Sequence, residues 1–251
     1  MPLTYPAHQA LVLPLKARWP QRFDGLALMV GASSPDLLFA AGGDWMFAHT
    51  PVGLPILVGL VTSYSILLRR YGLPGICRFL PTVLGADLRI YGAMSARSPS
   101  LLTTLLSALV GAVSHQLWDA LSHSTHPVAV ALGFDEAWAT LELGALRREL
   151  SVARSIQYIG HALGSVATVG GLLYLARNPP KGLFHPDAAA RLVEGPPPRP
   201  WPLAAGFASV ASGGLLAAPS FGGRTLFILL AALAIAVPLT GFVIESAQSA
   251  R

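Results

Sequence analysis

Cysteine is almost missing: Cys77 stands alone in 251 residues. One thiol excludes an intrachain disulfide and a thiolate metal cluster, so any metal bound here takes nitrogen and oxygen ligands. Charge is also scarce. Only 12% of the residues are Asp, Glu, Lys or Arg while 53% are hydrophobic, whereas soluble domains carry roughly 25% charged residues. That balance excludes an ordinary soluble domain. A basic patch is missing too, because the formal charge of +5 comes from cations scattered in short loops beside apolar segments, which argues against nucleic acid as a partner. No sequence repeat shows at a period of roughly 20 to 50 residues.

What is present is a series of long apolar windows. A helix crossing a bilayer needs ~20 consecutive apolar residues. Windows free of Asp, Glu, Lys and Arg run over 49–68, 98–118, 155–176, 200–223 and 225–244, and a sixth, 23–43, is interrupted by Asp24 and Asp36. These predict an all-α, polytopic transmembrane bundle in a cell membrane, with the lipid bilayer as its first partner. Residues 1–43 predict a re-entrant helical hairpin: an arm from His8 to Leu15, a basic turn over 16–22, and a second arm from Phe23 to about Ala41. The first arm is too short to span at ~1.5 Å per residue, so it dips in and returns, buried by other helices. The basic start and the small residues Gly31-Ala32-Ser33 also have the order of a signal peptide, but the charged region is too long and Asp36 follows directly.

Residues 71–97 read as a loop with an interfacial helix, and 124–150 as an exposed connection. The Pro-rich stretch 177–200 divides a membrane-embedded unit, 1–176, from a C-terminal helix pair in 201–251, whose Ala, Gly and Leu residues suit close packing. If His49 opens a span, only Arg147, Arg148, Arg154 and Arg224 of the 17 Lys and Arg residues fall on its side of the membrane. The positive-inside bias then puts the opposite side, with the 177–200 loop, in the cytoplasm and the His49 side outside it.

The polar residues gather on that outer side. His115, Asp119 and His123 are spaced four and four, which stacks them on one face of a continuing helix. An imidazole and a carboxylate one turn apart can bind one metal ion or bridge two; alternatively, Asp119 only hydrogen-bonds His115 or His123. Counted from the basic turn, His8 lies about 12 residues back and Asp36 about 14 onward, so the two arms reach the same height of ~20 Å. His8 also reads as an interfacial histidine, Asp36 as a capping acid after Pro35, and His49 as a helix-flanking residue. His161 and Gln157 share a face of the 155–176 window and read as supports for the ligands, with His161 as a ligand the alternative. His126 and His185 read as loop residues, Asp44 as a solvated loop acid. The halves of the spans towards the cytoplasm look nearly free of polar residues apart from Ser63, Tyr64 and Thr168.

The N-terminal His, the Ser-Pro-Asp ending at Asp36, His-Thr-Pro-Val-Gly over 49–53 and His-Gln-Leu-Trp-Asp-Ala-Leu-Ser-His over 115–123 together resemble the DUF4184 family of bacterial membrane proteins. That family looks related to the DUF457 membrane-bound metal-dependent hydrolases and, remotely, to zinc-dependent phospholipase C and the P1-type nucleases. The resemblance covers roughly residues 1–175. It implies metal ligation by His8, Asp36, His49, His115 and Asp119, with His123 as a further ligand. Two departures stand out: Leu38 occupies the place of a second acid, and His49 alone remains of a longer histidine motif. They argue for one or two ions, most simply Zn2+, rather than a trinuclear cluster. The expected function is hydrolysis of a phosphoester, including lipid headgroups. The alternatives are a membrane transporter and a non-catalytic metal-binding or structural membrane protein, and a transport path would need polar residues continuing towards the cytoplasmic side.

Overall fold

The computed structural model describes residues 6–40, 43–143 and 146–194, and the C-terminal helix pair expected in 201–251 lies outside them. The expected hairpin is formed by α1 (Gln9–Arg18), α2 (Gly25–Gly31) and α3 (Ser34–Ala40). Its second arm is two helices rather than one, separated at Ala32 and Ser33. Asp24 starts α2: its carboxylate accepts from the Leu26 and Ala27 amides, two donors that the helix itself leaves unsatisfied. A short α4 (Trp45–Ala48), capped by Asp44, leads to His49.

Among the described residues, three segments are long and apolar enough to cross a membrane: Pro51–Gly72, Leu101–Ser122 and Val152–Arg177. The first contains α5 (Leu54–Leu67), which passes through a π-helical turn at Leu68–Gly72 into α6 (Leu73–Ile76). The other two are α7 (Leu101–Ser122) and α9 (Val152–Arg177), reached after α8 (Pro127–Ala131). Ser100 caps the start of α7 and Ser151 the start of α9. Ile159, Leu163, Val166 and Val169 of α9 are exposed. A helix that turns such a row outward is suited to lipid, whereas water would drive it inward.

Two connections differ from expectation. Residues 124–150 were expected as an open connection, yet β3 (Ala137–Leu143) and β4 (Leu146–Ser151) pair antiparallel there. Part of the 177–200 stretch, expected as a loop, is a helix, α10 (Pro186–Glu194). A 3-10 run over Leu88–Ala96 follows the small ladder of β1 (Thr82–Val83) and β2 (Ala86–Asp87). Ala93 of that run, Ala188 of α10, and Leu183, Phe184, Leu13 and Leu175 form one apolar cluster. Burying that cluster is the physical reason this polar, Pro-bounded segment folds back instead of trailing free.

The hairpin is held against α7 by glycine. A Cβ on Gly31 would lie 2.6 Å from the Ala108 carbonyl oxygen, and one on Gly111 2.5 Å from that of Leu28. Both contacts are with backbone, which cannot swing aside, so the helices approach closely only because neither residue has a side chain. Gly111→Val is therefore expected to separate α2 from α7 and destabilise the protein by ~1–3 kcal/mol or more, read as a lower unfolding temperature in detergent. An unchanged temperature would mean that the contact does not hold the hairpin.

Candidate metal centre

The site is built from α7 outward. His115 and Asp119 face inward one turn apart, 0% and 1% exposed. The His115 Nδ1 meets the carbonyl oxygen of Ala32 at 2.8 Å, at the break between α2 and α3. A carbonyl only accepts, so this nitrogen carries the proton and Nε2 is left with a lone pair. His49 repeats the arrangement, its Nδ1 2.9 Å from the Trp45 carbonyl. Both Nε2 atoms point at carboxylates. The His115 Nε2 is 3.2 Å from Asp119 Oδ2 and 3.9 Å from Asp36 Oδ1, and the His49 Nε2 is 3.3 and 3.5 Å from the same two oxygens.

One ligand atom from each of Asp36, His49, His115 and Asp119 lies within 4.8 Å of all the others. The two Nε2 atoms and both oxygens of Asp119 are buried without an aligned hydrogen bond. Four electron-pair donors facing one another in an apolar bundle repel unless a cation stands between them. The cluster can hold a metal ion, and the donor set, imidazole with carboxylate, suits a divalent ion of the zinc type. Lacking a metal, a proton has to serve as that cation. Burial opposes charge on His49, but Asp119 and Asp36 outweigh it and hold the imidazole up at about 9.

Asp119 divides the assembly. Its Oδ2 faces the quartet, while Oδ1 lies 3.6 Å from His8 Nε2 and 3.5 Å from His123 Nδ1. The hairpin thus brings His8 level with α7, as the arm lengths predict, with its ring stacked on His115 at 3.9 Å. Burial and then His115 pull the His8 imidazole down to about 3, so it stays neutral with a lone pair available. His123 reaches Asp119 differently from expectation. It is the residue ending α7, with an extended backbone, rather than part of a continuing helix.

Gln157 Nε2 contacts His123 Nε2 at 3.0 Å, and the His161 ring stands edge-on to His8 at 5.6 Å. Neither belongs to the quartet. His185 is exposed, but His126 is buried and accepts from the Val128 amide at the start of α8. Residues not singled out in the sequence also position the site. Trp45 stacks on His49 at 4.7 Å, and Gln116 donates to the Ala48 and Thr50 carbonyls at 3.0 and 2.9 Å, fixing the backbone on both sides of His49. An amide within an apolar window beside His115 was the available signal for Gln116.

The far halves of the spans are not as apolar as their windows suggest. Asp24, Arg69, Thr104 and Ser107 are buried there together, with Asp24 paired to Arg69 and accepting from Thr104. Between that group and the His/Asp cluster lies an apolar layer of Ala27, Val61 and Ala108 backed by Val30 and Val58.

If the cluster binds metal, Gln116→Leu releases both clamps on the His49 segment. Zinc affinity, measured by competition with a chelator, is then expected to fall roughly 10- to 100-fold. Unchanged affinity would mean that the backbone alone holds His49 in place.

No curated protein and no solved structure matches the chain. A family model does match, over residues 1–208, which includes the hairpin, all three membrane-length helices and every member of the His/Asp cluster. The chain belongs to the DUF4184 family, described as a domain of unknown function.

Proposed function

We propose that this protein is a membrane metallohydrolase acting on phosphoesters, with lipid headgroups as the favoured substrates. The observation that carries the reading is the convergence on one point of two imidazole Nε2 atoms and two carboxylates, with both Nε2 atoms and both oxygens of Asp119 buried and lacking aligned hydrogen-bond partners. Under this reading Asp36, His49, His115 and Asp119 hold one divalent ion, and His8 and His123 on the other oxygen of Asp119 provide for a second. Such an ion, when bound, supplies Lewis acidity at a phosphoryl oxygen and a water acidic enough to ionise near neutral pH.

The protein's own groups complete the chemistry. The backbone carbonyls of Ala32 and Trp45 fix the tautomers of His115 and His49, so both present Nε2 without rearrangement. His8 is buried beside the cluster with its ring stacked on His115, so its lone pair is held towards Asp119 rather than towards bulk solvent. The kinship expected between this family and the membrane-bound metal-dependent hydrolases favours hydrolysis over mere binding in this reading.

A groove supports a lipid substrate. A cavity of about 500 Å³ runs from His8 and Ala7 along Leu11, Trp118, Ile159 and Leu163 to Trp138 on the β3–β4 hairpin. Its walls are mostly apolar and His8 is one of its lining residues, so a chain lying in it would pass beside the cluster. The transport alternative would need a polar path past the packed Ala27, Val61 and Ala108, where Thr62 is a buried hydroxyl on α5.

Elemental analysis of the purified full chain is expected to find at least one zinc-type ion per protein, and His115→Ala or Asp119→Ala is expected to lose it. A screen against soluble and lipid phosphoesters is then expected to show turnover that a chelator abolishes and zinc restores, reduced at least ~100-fold in Asp119→Asn. A metal-free wild type, or ligand variants that keep the metal, would overturn the metal site. Stoichiometric metal with no turnover on any phosphoester would leave a binding protein and overturn the hydrolase.

A further inference from the structure

The polar group at the far end of the bundle has a charge imbalance that the proposed hydrolysis does not use. Thr104 lies on α7 eleven residues before His115, ~16 Å away along the helix, so the two assemblies are separate. A cavity of about 250 Å³ opens there, lined by Lys16, Arg69 and Arg97 with Asp24 as the one acid among its lining residues. Asp24 is fully engaged: Oδ1 accepts from the Leu26 and Ala27 amides, and Oδ2 from Thr104 and Arg69. It neutralises Arg69 and nothing more.

Among the described residues, Lys16 and Arg97 donate to neutral carbonyls only. Both donate to the same carbonyl oxygen, that of Pro20, at 2.5 and 3.3 Å. Lys16 donates in addition to the Phe23 carbonyl at 2.7 Å, and Arg97 to that of Gly182. Carbonyl dipoles orient a cation without cancelling its charge, and two cations sharing one acceptor repel. Lys16 and Arg69 are each only 8% exposed, so solvent screens them poorly. Burial, then Arg97, with Arg69 adding and Asp24 opposing, brings the Lys16 ammonium down to about 8. The start of α7 forms another wall, through Ser100 and Thr103, and its dipole adds positive potential.

We propose that this cavity is a binding site for a phosphate-type oxyanion, gripped by Lys16 and Arg97 with Arg69 behind them. A guanidinium and an ammonium on one wall match the geometry of phosphate oxygens, and an anion there offsets the excess of two positive charges. The same chemistry is offered by the phosphodiester of an anionic lipid headgroup and by free inorganic phosphate. The site is independent of the His/Asp cluster, and either can fail without the other.

The test uses the full chain. Inorganic phosphate is titrated calorimetrically into protein in phosphate-free detergent, and protein in phosphatidylcholine nanodiscs, with or without phosphatidylglycerol, is analysed by native mass spectrometry for retained lipid. The wild type is expected to bind phosphate or to retain phosphatidylglycerol selectively, the arm that responds identifying the source. Lys16→Met and Arg97→Gln should each weaken binding at least ~10-fold, with Arg97→Lys recovering part of it. Metal content and unfolding temperature, unchanged in these variants, show that they are folded. A wild type that binds neither probe above phosphatidylcholine and chloride controls overturns the proposal, as do folded variants that bind as the wild type does.

Discussion

A carboxylate buried in an apolar bundle has to meet a positive partner, and Asp119 imposes that requirement on the rest of this protein. At 1% exposure it has lost its hydration, a loss that costs several kcal/mol unless a proton, a metal ion or charge-assisted hydrogen bonds replace it. The structure answers with imidazole on every side: His49 and His115 at one oxygen, His8 and His123 at the other. Each histidine comes from a different stretch of chain except the two on or at the end of α7. The hairpin, the break between α2 and α3, and α4 are thus fixed by where those rings must be.

The same requirement is met differently at the far end. Asp24 has as its partner a permanent cation, Arg69, with a hydroxyl and two amides filling its remaining acceptor sites. It is a closed structural site, whereas the acceptor sites of Asp119 stay open. An open set of donors is what binds an exchangeable ion, and a closed one is what specifies packing. The contrast between two buried aspartates in one bundle is the physical ground for placing a set of donors that could hold an ion at one and architecture at the other.

Much of this was legible in the sequence because it depends on local spacing. Four-residue intervals put His115 and Asp119 on one face, and equal arm lengths put His8 and Asp36 level with them. The three membrane-length helices fall within four residues of their windows, the first carried past Leu68 by its π turn. What was not legible depends on pairings across the chain. Asp24 read as an interruption in an apolar window, because its partner Arg69 is 45 positions away and stands where a cytoplasmic flank is expected. The β3–β4 pairing was hidden by a charged, unpatterned stretch. The α10 helix was hidden by flanking prolines, since its burial depends on Ala93 and Leu183, which no local periodicity connects.

The dependence on Asp119 also explains how a groove and a site can coexist in so small a bundle. The rings around the carboxylate fill the core, and α1 is held close on α9 beside them, where a Cβ on Gly164 would lie 2.7 Å from the Ala7 carbonyl oxygen. Gly160 and Gly164 keep α9 thin where it passes Trp118 and Ala7, and the space beside them is the apolar groove. The groove meets the cluster at His8, the one ring that belongs to both, so a chain in the groove and an ion in the cluster would act on the same side chain.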